Sequence, residues 1–132
     1  MNSCEGTSIA ERKFRKELNA GTVSLVLLAL LAREQRPLYG YEIARLLAWI
    51  SDDEPLVKQG ALYPVLRGLS AAGLLRSFVE PSVAGPPRRY YEITDSGRRE
   101  LKNWSHIWRK VTRLVDTVLV HIPVPSEEEN IP

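Results

Sequence analysis

The chain has 132 residues, 44% of them hydrophobic, with a formal net charge of +2; this suits one domain with a modest core and excludes a large two-lobed enzyme. Its single cysteine, Cys4, leaves no internal disulfide and no thiolate cluster for a metal, as expected in a reducing cytosol. The near-neutral total hides an uneven distribution. Residues 58–91 hold five bases (Lys58, Arg67, Arg76, Arg88, Arg89) against one acid, Glu80, a surplus of +4, while acids gather at Asp52-Asp53-Glu54 and Glu127-Glu128-Glu129. A basic region kept clear of acids can hold a polyanion, although an ordinary solvated surface would look the same on charge alone.

In chain order, Phe14 and Leu18 stand at i,i+4 among Arg12, Lys13, Arg15 and Lys16, which predicts a short basic amphipathic helix over residues 10–18 able to lie against a partner. Asn19-Ala20-Gly21-Thr22 is expected to break it. Val23, Val26, Leu27, Leu30 and Leu31 follow at helical spacing, with Leu25 and Leu28 on the other side, so the next helix is apolar nearly all round and belongs in the middle of the domain. The run from Val23 to Ala32 is too short to span a bilayer. Arg36-Pro37 ends this helix and Tyr39-Gly40 starts another, where Ile43, Leu46, Leu47 and Ile50 form an apolar stripe closed by the acidic loop from Ser51 to Pro55.

A third helix, from about Lys58 to Ala72, buries Leu62, Val65, Leu66 and Leu69, with Gly73 as its C-terminal cap. Its opposite side carries Gly60, Pro64, Arg67 and Gly68, with Tyr63 at the edge. Pro64 implies either a kinked first turn or a later start to the regular helix. Leu74 to Val79 and Arg88 to Ile93 then read as a two-stranded hairpin with a Pro/Gly-stiffened tip. Three helices and a hairpin make a winged helix.

Thr94 is a good N-cap and Asp95 suits the first turn of a last helix that nothing breaks before Pro123. Leu101, Trp104, Trp108, Val111, Val115, Val118 and Ile122 repeat at spacings of 3 and 4, a heptad seam. At 1.5 Å per residue this helix is about 40 Å long, more than the three short helices of one subunit cover. Part of the seam therefore calls for a second chain, and Phe14, Leu18, Leu101, Trp104, Trp108, Val111, Val115 and Val118 are the candidate dimer contacts. The alternative is a helix folded back over its own core.

The fold class expected is thus mainly α with a small β-hairpin: a winged helix-turn-helix plus a long C-terminal dimerisation helix. The divisions are a leader over 1–17, a DNA-binding domain over 18–94, the dimerisation helix over 95–122 and an acidic tail over 123–132. A third helix with so smooth an outer face fits the major groove. Arg67 can donate to a guanine or a phosphate, and the Tyr63 hydroxyl to a phosphate. Arg88 and Arg89, at the base of the stiff hairpin tip, can follow the backbone or enter the minor groove. The partner expected is double-stranded DNA, read by a homodimer as two half-sites of an inverted repeat.

Four motifs in register carry a family resemblance: Tyr39-Gly40-Tyr41-Glu42-Ile43, Gly60-Ala61-Leu62-Tyr63-Pro64-Val65-Leu66, Gly73-Leu74-Leu75, and the stretch from Gly85 to Gly97 that contains Pro86-Pro87-Arg88-Arg89-Tyr90-Tyr91-Glu92-Ile93-Thr94. Over roughly residues 18–120 the chain resembles the PadR family of bacterial and archaeal transcriptional regulators, in its shorter subgroup with a single C-terminal helix. The resemblance implies a dimeric repressor, often released from DNA by a phenolic compound or other small molecule, with DNA contacts at Tyr63, Arg67, Arg88 and Arg89. It further implies that the basic N-terminal helix packs on the partner subunit and that Trp108, with Trp104 beside it, can line a site for a small aromatic effector. Where the family commonly has Ser-Pro-Gly-Thr, this chain has Lys58-Gln59-Gly60-Ala61, so Lys58 and Gln59 stand where a capping hydroxyl and a phosphate contact would be.

No catalytic residue, metal site or cofactor is expected. His106 and His121 are lone histidines on a long helix, and Asp52-Asp53-Glu54 lacks the length and glycine of a calcium loop. No membrane segment or secretory signal is expected, which leaves the cytoplasm. The competing function is a winged-helix protein-protein adaptor that binds no DNA.

Overall fold

Ser8 begins the first helix: its hydroxyl accepts from the Glu11 amide at 2.9 Å, with the Glu11 carboxylate in the first turn. The structure, a computed structural model, describes residues 8–51 and 59–123, and of Gln59 the backbone alone. Cys4, the loop acids Asp52-Asp53-Glu54, Lys58 and the tail from Val124 lie outside the described residues.

Helix α1 runs without interruption over Ile9–Glu34, so the break expected at Asn19-Ala20-Gly21-Thr22 does not occur. Ala20 is the best of helix formers, and the Thr22 hydroxyl, rather than competing for the chain, donates to the Leu18 carbonyl one turn back at 2.9 Å. From Val23 onward the helix is held by burial, with Leu27, Leu28, Leu30 and Leu31 all in the core. Gln35, in the left-handed region at φ 58, ends it by donating to the Leu31 carbonyl at 3.3 Å, and Pro37 prevents continuation.

Strand β1 (Leu38–Tyr39), helix α2 (Gly40–Ser51), helix α3 (Gln59–Ala71), strands β2 (Leu75–Glu80) and β3 (Arg88–Ile93), and helix α4 (Asp95–Val120) complete the described fold. The expected hairpin of β2 and β3 is present, and β1 joins it to make a three-stranded antiparallel sheet in the order β1-β3-β2, because Leu38 pairs with Tyr91 and Tyr39 with Tyr90. Two residues are too few to show an alternation, so the sequence carried no strand signal there. Pro64 lies inside α3, and the regular helix starts before it. Its missing N–H faces the exposed side, where water can serve the freed carbonyl.

The core joins Leu27, Leu28 and Leu31 of α1 to Leu38, Ile43, Leu62, Leu66, Leu75 and Tyr91, and among the described residues it holds no charged side chain. Ile50, expected on the α2 stripe, is 46% exposed. Helix α3 ends as expected at Gly73, whose φ of +80 allows its amide to reach Ser70 and that of Leu74 to reach Leu69. Thr94 ties this turn to the start of α4: its hydroxyl accepts from the Gly97 amide at 2.9 Å and donates to the Gly73 carbonyl at 2.7 Å. The chain divides into two units, residues 1–101 and residues 102–132. On α4, Trp104 is half-buried while Trp108, Val111, Val115 and Val118 are exposed, as is Ile122 just beyond its end; Phe14 and Leu18 on α1 are exposed too. Among the described residues no helix is long and apolar enough to cross a membrane.

A Cβ on Gly97 would collide with the Leu74 carbonyl oxygen, whereas one at Gly21 would meet nothing within 4 Å. Gly97→Ala is expected to lower stability by about 2–3 kcal/mol and Gly21→Ala to raise it by about 0.5–1 kcal/mol, read from urea midpoints at one protein concentration.

Candidate nucleic-acid interface

Helix α3 buries Leu62, Leu66 and Leu69 at i, i+4, i+7, which turns Gly60, Pro64, Arg67 and Gly68 outward together. Tyr63, between the two faces, is half-buried and lies against the first residue of α2. A Cβ on Gly40 would stand 2.5 Å from its Cε1 and 2.8 Å from its hydroxyl oxygen. Glycine at 40 is thus the condition for the α2 start and the Tyr63 ring to share this space.

The wing approaches from the other side. Pairing of Val79 with Arg89 and Glu80 with Arg88 places both arginines at the loop end of β3, on opposite faces because a strand alternates. The Arg88 guanidinium lies 4.5 Å from the centre of the Tyr39 ring, a cation–π contact. Arg89 donates from Nη1 to the Ser77 hydroxyl at 2.8 Å. One strand thus orients two cations by two different devices.

Tyr63 and Arg67 from α3 and Arg88 and Arg89 from β3, all expected as DNA contacts, line one cleft of about 390 Å³. Sequence reasoning missed Tyr39, Gly40, Tyr41 and Tyr91, which line it too. All four lie within the family motifs, and Tyr39-Gly40 also marks a helix start, but their meeting here follows from the β1–β3 pairing. Gln59 begins α3.

The cleft's electrostatics follow from which arginines have acids. Arg15, Arg33, Arg36 and Arg76 each pair with a carboxylate, while Arg67, Arg88 and Arg89 have none among the described residues. Tyr91 is buried against this cluster, and desolvation raises its phenol pKa, opposed by the positive charges of Arg89 and Arg67 and assisted by Tyr63. The cleft therefore offers three unneutralised guanidinium groups and phenolic hydroxyls, a donor set for phosphate and base-edge oxygens. His106 and His121 are exposed elsewhere, on and just beyond α4. Among the described residues no three histidine, cysteine or carboxylate side chains could hold a metal.

Residues 27–103 match the sequence model of the Transcriptional regulator PadR-like family. In structure the chain is similar to a PadR family transcriptional regulator from Eggerthella lenta, at 31% identity and a TM-score of 0.72, over 84% of this chain and 93% of that one. A PadR-like transcriptional regulator from Bacillus cereus matches at 28% identity and a TM-score of 0.63, over 78% and 96% of the two chains. A curated relative, Uncharacterized protein X of Lysinibacillus sphaericus, is 26% identical over 102 residues, 77% of this chain and 92% of its own length.

The raised Tyr91 pKa fixes the sign of an alkaline effect. With the folded-state value above the unfolded one, the phenol's contribution to stability is whole below about pH 10 and is lost as pH rises through the folded value. Denaturation midpoints across this range should therefore fall in the wild type. The fall should be shallower in Tyr91→Phe, which has no phenol to ionise.

Proposed function

The chain belongs to the PadR-like family of transcriptional regulators, and from that premise we propose that it is a homodimeric repressor that binds double-stranded DNA at an inverted repeat in the cytoplasm. The observation that carries this reading is the shared cleft, in which Tyr63 and Arg67 of the second helix of the helix-turn-helix and Arg88 and Arg89 of the wing present donors without a neutralising acid. Helix α3 enters the major groove, where Arg67 donates to a guanine edge and Tyr63 to a phosphate. Arg88 and Arg89 follow the backbone beside it, with Lys58 and Gln59 at the entry of α3 as further contacts. Counterion release at these phosphates supplies most of the affinity.

The dimer rests on α4. A helix that exposes Trp108, Val111, Val115 and Val118 at heptad spacing, with Ile107 and Leu114 flanking them, presents the surface a second copy covers. Leu101 and Trp104 continue the seam towards the start of α4, and Phe14 and Leu18 at the exposed end of α1 pack on the partner subunit. A two-fold pair presents two recognition helices, so repression follows from occupying the promoter, and a small aromatic effector between the Trp104 and Trp108 side chains of the two subunits would release it. The chemistry is binding, not catalysis.

Selection of duplexes from a random pool, followed by gel shift across salt concentrations, tests this reading. The expected outcome is an enriched inverted repeat; no retardation even at low salt would favour a protein-protein adaptor instead. On the selected site, Arg67→Ala should cost about 1–3 kcal/mol and blur the preference at one base pair. Arg89→Ala should weaken all sequences alike and flatten the salt slope by about one per subunit. In sedimentation, Trp108→Asp should convert the dimer to monomers by placing a charge in the seam.

A further inference from the structure

The cleft has a third side that neither the recognition helix nor the wing supplies. Tyr41, the second residue of α2, lines it beside Tyr63, Arg67 and Arg88, and is 52% exposed. Its ring stacks on Tyr39 at 6.4 Å between centroids, and Tyr39 is the ring that carries Arg88. One turn further along α2, the Arg45 guanidinium lies 5.8 Å from the Tyr41 ring centre. Two stacked tyrosines thus connect one cation of the wing to one cation of α2.

Arg45 differs from its neighbour Arg36. Both line a second cleft along α2, but Arg36 is held by Glu42 at 3.3 Å and stands 4.0 Å from Glu34. Arg45 is exposed and has no carboxylate partner among the described residues. In this respect it belongs with Arg67, Arg88 and Arg89. In a helix-turn-helix the second helix fills the major groove while the first crosses the sugar-phosphate backbone, and α2 is that first helix.

We propose that Arg45, steered by the Tyr41 ring, is a further DNA contact: a sequence-independent clamp on a backbone phosphate, supplied by α2. This rests on the DNA-binding reading above and adds a third arm to it. An exposed arginine laid on an aromatic ring loses less rotamer freedom on binding than one free in solvent, and its N–H groups remain open to a phosphate.

The test is the salt dependence of binding by full-length protein to a selected duplex and to an unrelated duplex of equal length. Arg45→Ala and Arg45→Gln, which keeps most of the stem without the charge, should each flatten the log–log slope by about one per subunit on both duplexes. Arg33→Ala, which removes the same charge from a residue lining neither cleft, should retain the wild-type slope. Wild-type binding with an unchanged slope in Arg45→Ala and Arg45→Gln would overturn the inference alone. Failure of the wild type to bind any duplex would bring down the DNA-binding reading and this inference with it.

Discussion

Two residues of main-chain pairing hold the site together. Because Leu38 pairs with Tyr91 and Tyr39 with Tyr90, the wing is the outer part of a sheet whose other edge leads directly into the helix-turn-helix. An isolated two-stranded hairpin is marginal in water. Here β3 is a central strand, bonded on both sides, with Tyr91 and Leu38 buried beneath it. The same pairing sets Tyr39 against Tyr90 at 5.5 Å, and the β2–β3 pairing sets Tyr90 against Phe78 at 5.8 Å. Aromatic contacts therefore run from α2 across all three strands, and Arg88 takes its position from that frame, while Arg89 takes its own from the Ser77 hydroxyl.

The frame also decides which charges stay available. Arg76, next to it, lies over the Phe78 ring and also pairs with Glu92 across the strands, so its charge is neutralised inside the subunit. Arg67, Arg88, Arg89 and Arg45 keep theirs. Guanidinium groups held by rings or a hydroxyl rather than by carboxylates keep their full attraction for a polyanion, since no local acid has to be displaced first. The small net charge of +2 thus conceals a site that is strongly cationic.

Much of this fold is legible in the order of residues alone. The burial pattern of α3 follows from Leu62, Leu66 and Leu69, and its end from Gly73; the N-cap of α4 follows from Thr94, whose hydroxyl accepts from the Gly97 amide three residues on, while its bond to the Gly73 carbonyl belongs to the fold. What the sequence concealed depends on distant partners or on sums of small effects. Strand β1 is visible only through its pairing with β3. The continuity of α1 through Gly21 reflects burial of Val23 and the leucines after it, which outweighs a helix-poor tetrapeptide. The cleft residues Tyr41 and Gly40 carry no signal of their own until Tyr63 is packed against Gly40.

The central claim is that two such clefts, joined through α4, face one duplex. Hydroxyl-radical footprinting of the protein on its selected DNA tests it most directly. Two protected patches, related by a dyad and separated centre to centre by about 10–10.5 base pairs or a multiple of that spacing, are the result the account predicts. A single patch without a symmetric mate, or uniform protection that follows no sequence, would contradict it.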